Sequence, residues 1–585
     1  MKTRQCLIIF LFVVIPLVLM SIFCIDVIDN RNEANEDFSD IAVYYGDQDF
    51  GNKVYMCQSY VDDDDSSSTN NSSSDKSADS DSSEDADNKW YLFLPYDTET
   101  VGDYKLVLPE NTMLSIDGTV YKDGDVIPTE LDNSDIQFLS HSGKSLCSGT
   151  LTVCYGNSLQ SMFLVTSTDD AELVFTDRYA NIEAVLITTD AEGNLETSTS
   201  CITGGRGGST WASCPKRPLK INLSEEMELL GMSAASKYAL VANYMDQTNM
   251  KDAIVYTAAG KIGMTYYPEC EHVNLYVNGE YEGLYLLCTR INSRGGCVEF
   301  ADDLDDANDI ANNNTIGIPE TEILYEGTRD EIRYSLLDNN PLDISGSYLM
   351  EFELEGKPQE EQYVNSWFNT DNKTIVMNSP QYASEEETTY IANYVREAER
   401  AVYSEDGINT DTGLSIQDYL DINSWSQMCL MQNFFALQDY SDGSLFMYKL
   451  AGDDKLYGGP IWDYDKSMTD DYYTDVKFAY TDKATLGGWY SELYKFDDVF
   501  ANIQSVYIND LSDALAEMIE NYVPDTIENI SAAMEMDNIR WSHEDGYEAS
   551  RAEEVYEWLI NRKNLFDSIW IDGEKSEYAD NINLR

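Results

Sequence analysis

Two aspartates separated by one residue follow a turn late in the chain, where residues 458–465 read GGPIWDYD. Carboxylates at this spacing can share one hard cation, and Mg²⁺ accepts one or two carboxylates beside phosphate oxygens. Asp and Glu together number 106 of 585 residues, so the spacing alone is not specific. Because a turn, two aromatic residues and an apolar setting surround this pair, we predict a metal site at Asp463 and Asp465.

A further aspartate, Asp439, stands earlier in residues 438–444, which read QDYSDGS. An aspartate placed beside a metal site can orient a hydroxyl nucleophile. In phosphoryl transfer, some carboxylates bind the metal and another orients the nucleophile. The alternative is a glycoside hydrolase with Asp439 and Asp463 as acid and base, and this needs one carboxyl of raised pKa and a sugar cleft. The paired aspartates and a basic segment upstream favour phosphate over sugar.

That basic segment follows a glycine-rich turn: residues 204–211 read GGRGGSTW and residues 215–223 read PKRPLKINL. Glycines allow backbone N–H groups to approach an anion closely. The alternation typical of a strand places Lys216 and Lys220 on one face, where they could contact phosphates. The spacing matches neither a Walker loop nor GxGxxG, so a flexible hairpin loop with solvated lysines is the other interpretation.

Four segments in the same order resemble the spore-coat-protein-H (CotH) kinase family. The glycine-rich turn and the basic segment are similar to RGNSTW and KKPYKIK of that family. Residues 238–246 (YALVANYMD), 275–285 (LYVNGEYEGLY) and 459–465 (GPIWDYD) are similar to WxLxANxxD, LYLNGEYWGLY and GPVWDFD. Four ordered segments are more specific than any one of them, and the similarity covers roughly residues 200–570.

The resemblance implies a divergent kinase fold that transfers phosphate from ATP to Ser residues of extracellular or spore-coat proteins, with Mg²⁺ or Mn²⁺. It implies a catalytic role for Asp439 and metal binding by Asp463, Asp465 and Ser444. The nucleotide-binding positions that it implies are Arg206, Ser209, Lys216 and Lys220.

The chain departs from the family pattern at several positions. Gly208 stands where the family usually has Asn, and Lys251-Asp252 where it often has Arg-Asn. Thr289 and Asn433 stand where a Glu is frequent. These departures keep open an alternative function, a catalytically inactive surface scaffold or adhesion module.

The charge balance excludes nucleic acid as a partner. Asp and Glu total 106 against 37 Lys and Arg, a formal charge of −69. Nucleic-acid binding depends on Lys and Arg that neutralise phosphates, and this surface repels them. Extracellular or cell-surface proteins are the expected substrates.

The N-terminus predicts a membrane anchor in residues 1–30. Lys2 and Arg4 precede an apolar run from Cys6 to Ile25, and Asp26 follows it. Twenty helical residues span roughly 30 Å, the thickness of a bilayer core. The end of a membrane-spanning segment that carries basic residues stays on the cytoplasmic side, so the chain after residue 30 is expected outside the cell. A cleaved signal, which would give a secreted protein, is the alternative.

The rest of the chain is predicted to be α+β. Residues 31–88 are acidic and rich in Ser and Asp, which predicts a disordered linker. Short β-like runs between turn dipeptides predict a small all-β module over residues 89–196. The kinase-like domain is predicted over residues 197–575, with strands first and helices later. Helical periodicity marks residues 388–403, 424–438, 500–522 and 553–570.

Overall fold

The computed structural model describes residues 38–46, 53–58, 88–167, 172–354, 356–360, 364–437, 443–468, 488–541 and 549–573. The predicted anchor, residues 1–30, lies outside these ranges. Among the helices within them, none is both long and apolar enough to cross a membrane. The described residues form two compact units. The smaller takes those up to Ser158 with Ala191–Gly193 and Tyr276–Glu282, and the larger takes the others.

The smaller unit is mostly β-sheet. Its strands are β1 (Ala42–Tyr44), β2 (Lys53–Tyr55), β3 (Cys57–Gln58), β4 (Lys89–Leu94), β5 (Lys105–Val107), β6 (Thr112–Ile116), β7 (Thr119–Tyr121), β8 (Ser134–Ser140) and β9 (Ser145–Tyr155). They form a three-stranded sheet in the order β2-β1-β5 and a six-stranded sheet in the order β3-β4-β9-β8-β6-β7. Short helices, Phe38–Asp40 and Thr98–Val101, complete the unit.

Part of the predicted linker is folded into this unit. Residues 38–46 and 53–58 fall within the stretch predicted to be disordered, yet β1 pairs with both β2 and β5. Ile41, Val43 and Val54 are completely buried. Burial of these apolar side chains offsets the entropy lost on ordering the chain. The prediction of disorder used the average composition of residues 31–88, in which these few apolar residues have little weight.

The larger unit begins with a closed barrel. Its strands are β10 (Ser161–Thr166), β11 (Ile182–Thr189), β12 (Leu195–Gly205), β13 (Leu219–Leu229), β14 (Met232–Val241), β15 (Cys270–Val277) and β16 (Glu280–Thr289), except that the end of β15 and the start of β16 fall within Tyr276–Glu282 of the smaller unit. The order around the barrel is β10-β11-β12-β13-β14-β16-β15. Strands β10, β11 and the start of β12 lie within residues 89–196, the range predicted for the β-rich module, but here they pair into the barrel. The reason is that β11 pairs with β12, and β12 with β13, so continuous backbone hydrogen bonds tie these strands to the barrel.

A second sheet of the larger unit has seven strands. They are β17 (Thr321–Leu324), β18 (Ile332–Ser335), β19 (Tyr348–Glu353), β20 (Trp367–Asn369), β21 (Thr374–Ser379), β22 (Leu445–Lys449) and β23 (Leu456–Gly458). Their order is β17-β18-β20-β21-β19-β22-β23. Because β19 lies between β21 and β22, residues far apart in sequence become neighbours at this point of the sheet.

Helices lie in the four stretches where helical periodicity was predicted, although the second helix ends at Phe434, before the predicted end at residue 438. The helices of the larger unit are Leu173–Thr176, Ser209–Ser213, Lys251–Lys261, Leu304–Ala311, Lys357–Glu360, Glu385–Tyr403, Ile416–Tyr419, Ile422–Phe434, Gly488–Leu493, Asp497–Val506, Ser512–Glu517, Val523–Trp541 and Ala549–Phe566, and π-helical segments are Tyr507–Leu511, Met518–Tyr522 and Asp567–Ile571. Glu385–Tyr403 begins with a capping box: the Ser384 hydroxyl accepts the Glu387 N–H, and the Glu387 carboxylate accepts the Ser384 N–H. The fold class is therefore mixed helix and sheet.

Candidate active site

A cavity of about 520 Å³ lies in the larger unit. Its lining comes from the loops after β12, β14 and β16, from β19 and β21, and from the turns before β22 and after β23. The lining residues used below are Arg178, Arg206, Ser209, Arg290, Glu351, Asn378, Ser444, Trp462, Asp463 and Asp465. The volume falls within the range of roughly 300–1,000 Å³ that small-molecule sites occupy.

Asp463 and Ser444 meet at one wall of this cavity. The Ser444 hydroxyl donates a hydrogen bond of 2.9 Å to Asp463 Oδ2. Both residues have left-handed backbone conformations, with φ of 57° at Ser444 and 67° at Asp463. Such conformations cost non-glycine residues on the order of 1 kcal/mol or more, so surrounding contacts must hold them.

The helix Lys251–Lys261 supplies those contacts. The Asp463 N–H donates to the Tyr256 hydroxyl at 3.2 Å, and the Tyr464 N–H donates to Asp252 Oδ1 at 2.7 Å. Asp252 and Tyr256 are four residues apart and therefore lie on the same face of the helix. Burial, with the charges of Asp463 and Asp465, raises the pKa of Asp252 well above its ordinary value. This helix fixes the direction in which Asp463 points.

The start of the same helix is ordered by a buried carboxylate. Asp246 accepts hydrogen bonds from the N–H groups of Thr248, Met250 and Lys251. The Lys251 ammonium in turn donates to the Asp465 carbonyl oxygen at 3.1 Å. Residues 246–251 therefore hold the other end of the segment that carries both aspartates.

Asp465 lines the cavity and is half-buried. Burial, followed by the neighbouring negative charge of Asp463, raises the pKa of the Asp465 carboxyl to about 7. Two carboxylates held this close repel each other, and a shared divalent cation would stabilise both in the ionised form. The oxygen donors of Asp463, Asp465 and Ser444 fit Mg²⁺ or Mn²⁺ in chemistry. Within the described residues, no group of three or more His, Cys, Asp or Glu side chains is placed to hold a metal ion.

Glu351 is a cavity residue that sequence reasoning missed. It lies on β19 and accepts the Ser444 N–H at 3.1 Å and the Asn378 side-chain amide at 3.1 Å. Burial, together with the charge of Glu353, raises the pKa of the Glu351 carboxyl to about 7. No local motif marks Glu351, because it is brought to the site by the pairing of β19 with β21 and β22.

Arg206 and Ser209 of the glycine-rich turn also line the cavity. The Arg206 guanidinium lies 5.2 Å from the centre of the Trp462 ring. The Tyr256 ring stacks against the same Trp462 ring, with 5.9 Å between the ring centres. The cation–π contact links the glycine-rich turn to the segment that carries the aspartates. Arg290, from the loop after β16, lines the same cavity and was not predicted.

The structure does not bring Lys216 or Lys220 to this cavity. Lys216 is completely buried, and its ammonium lies 2.6 Å from both the Asp537 carboxylate and the Leu284 carbonyl oxygen. Lys220 is half-buried on β13, and its pKa is lowered by burial and by Arg290. Strand alternation does not relate the two lysines, since β13 begins only at Leu219. Asp439, the predicted catalytic residue, lies outside the described residues.

The buried pair of Lys216 and Asp537 leaves no room beside Gly283. A methyl group added at Gly283 would lie 2.2 Å from Asp537 Oδ1, and the glycine φ is 117°. We expect Gly283→Ala to lower the free energy of unfolding by about 3 kcal/mol or more, measured by denaturant titration. Gly263→Ala is the matched control, because Gly263 also has a positive φ, of 71°, but a methyl group there meets nothing within 4 Å. Equal losses in the two variants would contradict the packing around Gly283.

The two positions where the family often has Glu do not line the cavity. The Thr289 hydroxyl accepts the Glu269 N–H, and the Asn433 amide donates to the Tyr494 hydroxyl. Both residues are buried in these contacts. Thr289 directly precedes the cavity residue Arg290, but neither Thr289 nor Asn433 is itself a lining residue.

The larger unit thus combines a barrel, a second sheet and a helical region around a cavity with paired aspartates and arginines. The model of the CotH kinase protein family matches residues 205–565, more than half of the 585 residues. The chain belongs to this family, which confirms the resemblance predicted from the motifs. Membership implies an ATP-using, kinase-like activity. No curated protein matches the chain.

Proposed function

We propose that this protein is an atypical protein kinase that transfers the γ-phosphoryl group of ATP to Ser or Thr hydroxyls of surface proteins. The observation that carries the proposal is the composition of one cavity, whose lining includes Asp463, Asp465, Arg206 and Arg290. Carboxylates that hold a cation and arginines that contact phosphates are the two kinds of group that phosphoryl transfer needs.

The roles of the residues follow from their positions. Asp463, Asp465 and the Ser444 hydroxyl would hold Mg²⁺ or Mn²⁺, which supplies charge neutralisation at the phosphate oxygens. Asp252 and Tyr256 keep Asp463 in its left-handed conformation through the hydrogen bonds to the backbone at 463 and 464.

In the proposed reaction, the acceptor hydroxyl oxygen bonds to the γ-phosphorus while the bond from that phosphorus to the β–γ bridging oxygen breaks. ADP leaves with the bridging oxygen, and Asp439 receives the hydroxyl proton. The role of Asp439 rests on its place in the family motif. Most of the rate enhancement would come from positioning and charge neutralisation, as in other phosphoryl transfers.

The N-terminal segment extends the proposal to location. Lys2 and Arg4 before the apolar run from Cys6 to Ile25 support a single-pass anchor with the kinase unit outside the cell. The substrates would then be extracellular or cell-surface proteins.

Two assays test the proposal, one for phosphate transfer and one for the location of the kinase unit. We expect the full-length chain in detergent, given labelled ATP and Mg²⁺ or Mn²⁺, to label itself or a Ser-rich acceptor, and EDTA to abolish the labelling. Intact cells carrying the chain, given labelled ATP from outside, should label surface proteins, because ATP does not cross the membrane. Labelling that persists in EDTA would remove the metal from the mechanism. If the purified chain transfers no phosphate to itself or to the acceptor, the kinase proposal is wrong and the alternative of an inactive surface scaffold stands.

A further inference from the structure

A second cavity, of about 570 Å³, lies in the larger unit. Its walls come from residues just before and at the start of the helix Lys251–Lys261, and from the helix Ala549–Phe566. Met245 lines both this cavity and the cavity that contains Asp463, and it is 56% exposed. The two cavities are therefore neighbours, and a bound chain can pass from one to the other over Met245.

The buried charged groups of this second cavity already have partners. Asp246 is buried and accepts hydrogen bonds from three backbone N–H groups. The Lys251 ammonium, also in the lining, donates to the Asp465 carbonyl oxygen at 3.1 Å. Glu554 and Glu557 line the cavity as well, and both are exposed. A ligand for this cavity therefore does not need to be an ion.

Two buried polar atoms of lining residues have no hydrogen-bond partner among the described residues. One is the indole Nε1 of Trp558, a donor, and the other is the side-chain oxygen Oε1 of Gln247, an acceptor. Trp558 is only 5% exposed. Buried polar groups are almost always hydrogen-bonded, and one that is left without a partner destabilises the fold. The cavity therefore presents one donor and one acceptor to a neutral ligand that carries their complements.

Resting on the kinase function proposed above, we propose that the second cavity binds a peptide segment of the acceptor protein, close to the Ser or Thr that receives the phosphate. A peptide group has one C=O for the Trp558 indole N–H and one N–H for the Gln247 amide oxygen. Met245, Met468 and Val555 add apolar surface for an aromatic or aliphatic side chain of that segment, and methionine adapts well to aromatic rings. An extended chain advances about 3.3 Å per residue, so this side chain belongs to a residue a few positions from the acceptor hydroxyl.

Two variants each remove one of these polar atoms. Trp558→Phe removes the N–H and keeps an aromatic wall, and Gln247→Leu removes the amide oxygen and keeps a side chain of similar volume. Neither removed atom has a partner in the part of the chain that the structure describes, so both variants should stay folded, which a melting curve checks. Trp367→Phe is the matched control. Trp367 is also buried with an indole N–H that no described residue accepts, but it lines neither cavity.

The experiment titrates the full-length chain in detergent with capped nine-residue peptides by calorimetry, without ATP. Each peptide has Ser in the middle and Ala or Gln elsewhere, and a single Phe is moved through the other positions. We expect Phe at one position, or at two adjacent positions, to tighten binding about fivefold or more over the parent peptide without Phe. Trp558→Phe and Gln247→Leu should each weaken this binding about threefold or more, and Trp367→Phe should change it less than about twofold.

Separate outcomes distinguish this peptide site from the kinase function. A wild-type chain that binds every Phe peptide no better than the parent peptide would overturn the peptide site, and so would a preferred Phe position that survives both variants. Phosphate transfer to the Ser of all these peptides at equal rates, with no preferred Phe position, would overturn the peptide site and leave the kinase standing. A preferred position that requires Trp558 and Gln247, in a chain that transfers no phosphate, would support the peptide site and overturn the catalytic proposal.

Discussion

Asp463→Asn is expected to reduce phosphate transfer by about 100-fold to 1000-fold while leaving the protein folded, as an initial-rate assay with labelled ATP would measure. The magnitude is that of losing one preorganised electrostatic contact to the transition state. Asparagine is the right replacement, because it tolerates the left-handed conformation at this position, where φ is 67°. Its amide oxygen can still accept the Ser444 hydroxyl, so the variant loses the negative charge and little else.

The control for this variant is Asp510→Asn. Asp510 is exposed in the π-helical segment Tyr507–Leu511, far along the chain from the cavity residues, and its variant should transfer phosphate at the wild-type rate. Asp463→Asn should also unfold at the wild-type temperature, since an exposed side chain with one hydrogen bond contributes little to stability. An Asp463→Asn variant with wild-type transfer would remove Asp463 from the metal site. A variant that is inactive because it is unfolded would show a lowered melting temperature.

Lys216→Met is expected to have the largest effect on stability, a loss of about 3–5 kcal/mol in the free energy of unfolding. The Lys216 ammonium lies 2.6 Å from Asp537 Oδ1, and the two side chains are 0% and 5% exposed. Removing the ammonium takes away the positive charge that lies 2.6 Å from the buried Asp537 carboxylate. The Leu284 carbonyl oxygen also loses a donor at 2.6 Å. Denaturant titration of the wild type and the variant measures the difference.

Two further variants show whether the loss comes from the buried pair. Lys216→Met combined with Asp537→Leu should recover part of the lost stability, because no uncompensated charge stays buried. Lys261→Met removes a surface lysine that pairs with Glu517, and should cost less than about 1 kcal/mol. If Lys216→Met instead unfolds like the wild type and binds ATP tenfold more weakly, Lys216 contacts phosphate, as the sequence motif predicted.

The sequence by itself determined the family, the order of the motifs and the composition of the segment that we propose binds the metal. Asp463, Asp465, Ser444, Arg206 and Ser209 all line the cavity. They were predictable because each belongs to a short segment whose glycines, proline and aromatic residues specify a local turn. The four helical stretches were predictable for a similar reason, since apolar periodicity and a capping box such as Ser384 with Glu387 act within a few residues.

Only the tertiary structure decided which charged groups face the cavity and which are buried elsewhere. Lys216 pairs with Asp537, more than 300 positions later in the chain, and does not line the cavity, whereas Arg206 and Arg290 do. Arg290 and Glu351 reach the site through barrel closure and through the pairing of β19 with β22. The same long-range pairing brings β10, β11 and β12 into the barrel. Contacts of this kind depend on backbone hydrogen bonds and burial between distant segments, and no local pattern of residue types encodes them.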